Sequence, residues 1–120
     1  MPVATFEKSK RLLNAPAFQA VFDGAQYKVG HQYFLILARP TSLDHARLGL
    51  VIGKKNIRRS VHRNRVKRVV RETFRHNLDS LDSLDIIFLA RKGFDSLQPS
   101  QQTRIMRETW QRLAAKVANK

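Results

Sequence analysis

Residues 54–76 read KKNIRRSVHRNRVKRVVRETFRH and set ten Lys and Arg side chains against a single acid, Glu72. This stretch carries nine of the chain's +14 net charges. From Ser60 onward it also has a helical period: Val66, Val69, Val70, Thr73 and Phe74 fall at i, i+3, i+4, i+7 and i+8, which makes one buried stripe. Ser60 suits the N-cap, because its hydroxyl can accept a hydrogen bond from an otherwise unpaired backbone N–H. Arg68, Arg71 and Arg75 line up with Asn64 on another face, Arg63 and Lys67 flank that line, and Arg65 borders the far side. Helix and charge cluster are one object, apolar toward the core and rich in arginine elsewhere.

Strand-like runs bracket this helix, and that decides the fold class. RLGLVIG (47–53) puts Leu48, Leu50 and Ile52 on one side and Gly49, Val51 and Gly53 on the other, the second side open to a close backbone approach. DIIFLAR (85–91) is short, β-branched and aromatic, and Lys92-Gly93 ends it. YFLILAR (33–39) is another strand, stopped by Pro40. Residues 78–84, with a doubled LDS, form a polar connector. Upstream, Asn14 or Ala15 caps a helix that carries Pro16 in its first turn, where a missing N–H does no harm; Phe18, Val21 and Phe22 share a face and Gly24 is the stop. A last helix from about Pro99 to Val117 turns Met106, Thr109, Trp110, Leu113 and Val117 inward. The order predicts an α+β domain, a small sheet with helices packed mainly on one side. At 120 residues it is one domain, 1–120, with 1–13 a basic N-terminal arm and 118–120 a frayed end.

Composition narrows the function. With 42% hydrophobic residues in organised runs the chain folds, unlike a disordered basic tail. It has no cysteine, so disulfide frameworks and thiolate zinc sites are out. No segment has the length of a signal peptide's apolar run or a membrane span, and the expected location is the cytoplasm.

A solvated helix normally intersperses acids with its cations. Glu72 alone does not do so, and the crowded positive charge calls for a polyanion. Arginine outnumbers lysine in the helix, which suits forked contacts to phosphate. DNA recognition helices normally belong to helix-turn-helix units or symmetric dimers, so structured RNA fits better. His31, His45, His62 and His76 lack metal-ligand spacing, and no acidic cluster would hold magnesium. Catalysis by this chain alone is not expected. Phe18, Phe22, Tyr33 and Phe34 suit either base stacking or the core, and their helical or strand spacing favours the core.

Arg63-Asn64-Arg65-Val66-Lys67-Arg68, reached through Gly53-Lys54-Lys55-Asn56, closely resembles the signature of the bacterial ribonuclease P protein component. Phe18-Gln19-Ala20-Val21-Phe22, the run from Arg47 through Gly49 to Gly53, and Ala90-Arg91-Lys92 extend the resemblance over nearly the whole chain. It implies a small basic subunit that joins a catalytic RNA and helps remove the 5′ leader of precursor tRNA. It implies an α-β-β-β-α-β-α two-layer sandwich like the second domain of ribosomal protein S5, with an extra strand near Gln26 to Val29 and a left-handed βαβ crossover, against the usual right-handed rule.

By the same resemblance Arg63, Asn64, Arg65, Lys67, Arg68 and Arg71 face the catalytic RNA, with Lys54, Lys55, Arg58 and Arg59 leading into them. Phe18, Phe22 and the outward side of the Tyr33 strand hold the single-stranded leader, with Lys92 at the edge; this reverses the core reading of Phe18 and Phe22. Ile36 stands where some members carry an aromatic residue, which leaves the stacking role open between Ile36 and Phe34. The protein binds no cofactor; magnesium serves the RNA, and neither a membrane nor an obligate protein partner is implied. The competing expectation is a ribosome-associated or RNA-chaperone protein using the same basic helix.

Overall fold

The computed structural model describes Arg11 and residues 14–81 and 83–118; the expectations for the rest of the N-terminal arm and for 119–120 lie outside them. Three helices, α1 (Ala15–Gly24), α2 (Ser60–Arg75) and α3 (Pro99–Ala118), surround four strands, β1 (Tyr27–Gly30), β2 (Phe34–Pro40), β3 (Arg47–Val51) and β4 (Leu84–Ala90). The sheet order is β1-β2-β4-β3. β1 and β2 form an antiparallel pair, β2 and β4 another, and β3 runs parallel to β4. Neighbouring parallel strands are therefore joined through α2, and the loop into α2 sits at the end of the sheet.

Alternation along the strands divides the core in two. Phe34, Ile36 and Ala38 of β2, Leu48 of β3, and Ile86, Phe88 and Ala90 of β4 face α2 and α3. There they meet Val66, Val70 and Phe74 of α2 and Met106, Trp110 and Leu113 of α3, all fully buried. The indole N–H of Trp110 donates to the Thr73 hydroxyl at 2.9 Å, and that hydroxyl bonds back to the Val69 carbonyl at 2.9 Å. This polar bridge fixes the phase of α2 against α3 inside an apolar layer.

The intervening residues, Leu35 and Leu37 of β2 with Ile87 and Leu89 of β4, face the other way and pack with Ala17, Phe18 and Val21 of α1. Two helices thus cover one face and α1 lies on the opposite one. On the α1 face Asp85, only 2% exposed, receives two bonds from Arg47, Nε to Oδ1 at 2.8 Å and Nη2 to Oδ2 at 2.6 Å, tying β3 to β4 beside the sheet's hydrogen bonds.

Several local expectations change. Ser60 is the first helical residue and Arg59 occupies the N-cap without a side-chain bond; the loop carbonyls are met instead by Arg63, as described below. The extra strand starts at Tyr27 rather than Gln26. The connector after α2 is not merely polar: Leu78–Leu81 forms a 3-10 turn, and Leu81 is fully buried in the main core. A Cβ on Gly53 would meet nothing within 4 Å, so no close approach requires that glycine. Gly93 is different. Its φ is 102°, and a Cβ would come within 2.9 Å of Tyr33 Cε1, so the chain leaves β4 there through a turn only glycine makes without strain.

Candidate nucleic-acid interface

On α2 the buried stripe leaves Asn64, Arg65 and Arg68 exposed, while Arg63, Lys67 and Arg71 are half-buried at its flanks. The loop before it exposes Lys54, Lys55, Arg58 and Arg59. All ten cations and amides named for the RNA are therefore exposed or half-buried on α2 and the loop before it. Glu72 does little to neutralise it, since its Oε1 accepts from Arg75 Nη2 at 2.6 Å and sits 4.0 Å from His76 Nε2, at the helix's far end. Burial, followed by the charge of Arg11, lowers the pKa of the Arg71 guanidinium from its ordinary value, which marks a site where positive charge is crowded.

Two of the side chains hold the loop. Asn56 Nδ2 donates to the Ala90 carbonyl at 2.8 Å, pinning the loop to the end of β4. Arg63 Nη1 donates to the carbonyls of Ile57 and Arg58 at 3.0 and 2.8 Å. Arg63 is thus a structural clasp as well as a cation, a double use invisible in the sequence pattern. His62 Nδ1 lies 3.0 Å from Asp95 Oδ2, joining α2 to the 3-10 turn Phe94–Ser96.

Lys92 is exposed and lines a groove of about 430 Å³ with Lys55, Asn56, Arg58, Arg59, His62 and Asp95. It belongs to the cationic surface at the mouth of α2. The sequence pattern does not pair His62 with Asp95; only their contact across 33 positions does.

The aromatic site needs correcting. Phe22 is 44% exposed and Phe18 half-buried, both on α1, but Phe34 and Ile36 are fully buried on the opposite face of the sheet. Phe34 is packed edge-on against Phe94 at 5.4 Å between ring centres and stacked by His31 at 4.6 Å, so neither it nor Ile36 meets a ligand. The floor beside Phe18 and Phe22 is made instead by Leu35 and Leu89, and register places the 37%-exposed Val51 of β3 next to Leu89 on the same face. The pattern offered one clue: β2 alternates, so Phe34 and Ile36 cannot share a face with Leu35.

No group of three His, Asp or Glu side chains among the described residues would hold a metal ion. His31 has its pKa lowered, first by burial and then by Arg112, against the opposing pull of Glu108, and it shares a groove with these two residues of α3.

The order and pairing of the strands and helices are shared with known proteins. The Ribonuclease P family profile matches residues 6–114. This chain belongs to the ribonuclease P protein family. It is 51% identical over 109 residues to the ribonuclease P protein component of Azotobacter vinelandii, covering 91% of this chain and 84% of that one. It is 49% identical over 108 residues to that of Pseudomonas aeruginosa PAO1, covering 90% and 80%. The ribonuclease P protein of Staphylococcus aureus superposes with a TM-score of 0.78 at 26% identity, over 92% of this chain and 96% of that one. The ribonuclease P protein of Thermotoga maritima gives a TM-score of 0.67 at 27% identity, over 79% and 89%. The chain is accordingly a protein component of ribonuclease P and serves in tRNA 5′ processing beside the ribonuclease P RNA. Family membership removes the ribosome-associated and chaperone expectation.

Proposed function

We propose that the α2 face and its loop dock on the catalytic RNA while Phe18 and Phe22 receive the single-stranded leader of precursor tRNA. The observation that carries this reading is the 44% exposure of Phe22 on α1, the helix that packs Val21 and Phe18 on Leu37 and Ile87 at the sheet face opposite α2. Two RNAs can then be held at once without competing for one surface. An aromatic side chain on an apolar shelf suits unpaired bases, and the forked guanidiniums suit phosphates.

In this reading the RNA performs the cleavage. The described residues offer no ligand cluster for a divalent ion, so the magnesium that hydrolysis needs is assigned to the RNA, and this chain contributes binding and orientation. The partners are the catalytic RNA and the precursor tRNA, in the cytoplasm, with no obligate protein partner.

The test is a paired affinity measurement on the reconstituted complex. Phe22→Ala should weaken binding of precursor tRNA by about 1 to 3 kcal/mol, the range of one base stack, and leave mature tRNA nearly unchanged. Equal losses for both RNAs would remove Phe22 from the leader site.

A further inference from the structure

Val61 is 64% exposed, the most exposed large apolar residue among those described, and it stands in the first turn of the helix that carries the arginines. It lies in a groove of about 470 Å³ whose other walls are Asn64, Arg65, Arg68, Val69 and Pro99. Val61, Asn64, Arg65 and Arg68 follow one another at i, i+3, i+4 and i+7, so they form a single strip along α2, and Pro99 closes the groove from the start of α3. The volume falls within the roughly 300–1,000 Å³ of ligand sites. None of Asn64, Arg65 and Arg68 is engaged with another described residue, in contrast to Arg63 and Arg75.

Phosphate alone does not account for this composition. A purely backbone-binding helix has no use for a solvent-exposed β-branched residue, which lowers helix propensity and leaves apolar surface in water. Apolar walls, an amide that both donates and accepts, and two forked cations together match one ligand chemistry: a nucleobase with its own phosphate. In such a complex the face of the base would lie on Val61, Val69 and Pro99, its edge would meet Asn64, and the phosphate would meet Arg65 and Arg68. A paired base is not available for this, since its faces are stacked and its edge is occupied. The positive charge of the rim selects RNA over a protein ligand.

We infer that this groove between α2 and the start of α3 is a pocket for one unpaired nucleotide of the catalytic RNA. The inference rests on the proposal that α2 docks on that RNA, and the two fail differently. Arg65→Ala tests the docking: it should weaken binding and make the dependence of log affinity on log salt shallower. Val61→Ser tests the pocket. Serine is tolerated in a first turn, so the variant should melt like the parent. Its affinity for the catalytic RNA should fall by about fivefold at every salt concentration with an unchanged slope, because the lost contact is apolar.

Two further measurements make the assignment specific. On a fully paired RNA duplex Val61→Ser and the parent should bind alike, and Val61→Ile, which keeps the apolar wall, should bind the catalytic RNA like the parent. No loss on the catalytic RNA, or an equal loss on the duplex, would overturn the pocket while leaving the docking of α2 intact. An unchanged salt slope in Arg65→Ala would instead overturn the docking.

Discussion

Phe34 and Phe22 show how far one side chain's meaning depends on the face it occupies. Both are aromatic and both stood as candidates for the leader, yet Phe34 has no exposed surface and Phe22 is 44% exposed. Phe34→Ala should therefore cost about 3 to 5 kcal/mol of folding stability, the usual range for emptying an aromatic core site. Phe22→Ala should cost about 1 kcal/mol or less, since much of its ring is already in water. Urea melts of the two variants check this, and the reverse ranking would mean that β2 presents its other face. The sequence could not separate them easily. Residues 34–38 are apolar on both sides of the strand, because α1 covers one face and α2 with α3 the other, so no polar residue marks an outward side. Phe18 and Phe22 were legible as a pair at helical spacing, but their unequal burial depends on how α1 lies over β2 and β4.

At the scale of the element, α2 divides into side chains that hold the fold and side chains left exposed. Its buried stripe was readable from the period alone, and Val66, Val70, Thr73 and Phe74 are buried as expected, whereas Val69 is half-buried. The loop before it was not, because its order comes from Asn56 reaching a carbonyl 34 positions away and from Arg63 folding back over Ile57 and Arg58. Such contacts have no local signature. Asn56→Ala should cost about 1 to 3 kcal/mol by leaving the Ala90 carbonyl without this partner, and it should weaken RNA binding indirectly. Arg68→Ala should leave the melting temperature unchanged and weaken RNA binding directly. Thermal melts paired with RNA titrations separate the two; if Arg68→Ala lowers the melting temperature as much as Asn56→Ala, the division within α2 is wrong.

Across the whole molecule the same asymmetry sets the strength of association. Six cations of α2 and the loop before it are exposed: Lys54, Lys55, Arg58, Arg59, Arg65 and Arg68. If all six displace counterions, log affinity should fall against log salt with a slope of roughly −4 to −5, and a slope near zero would exclude phosphate docking. The net charge announced this surface at once, whereas the sheet order β1-β2-β4-β3 did not, since it depends on pairing between distant segments. The bridge from Trp110 to Thr73 brings a practical consequence for all these measurements. Trp110 is the chain's single tryptophan, fully buried and hydrogen-bonded to Thr73 on the inner side of α2. Its fluorescence should be blue-shifted and shielded from aqueous quenchers, and should respond when α2 and α3 part rather than when RNA settles on the outer face. Every variant thus carries an optical gauge of its own packing, independent of the binding it is made to test.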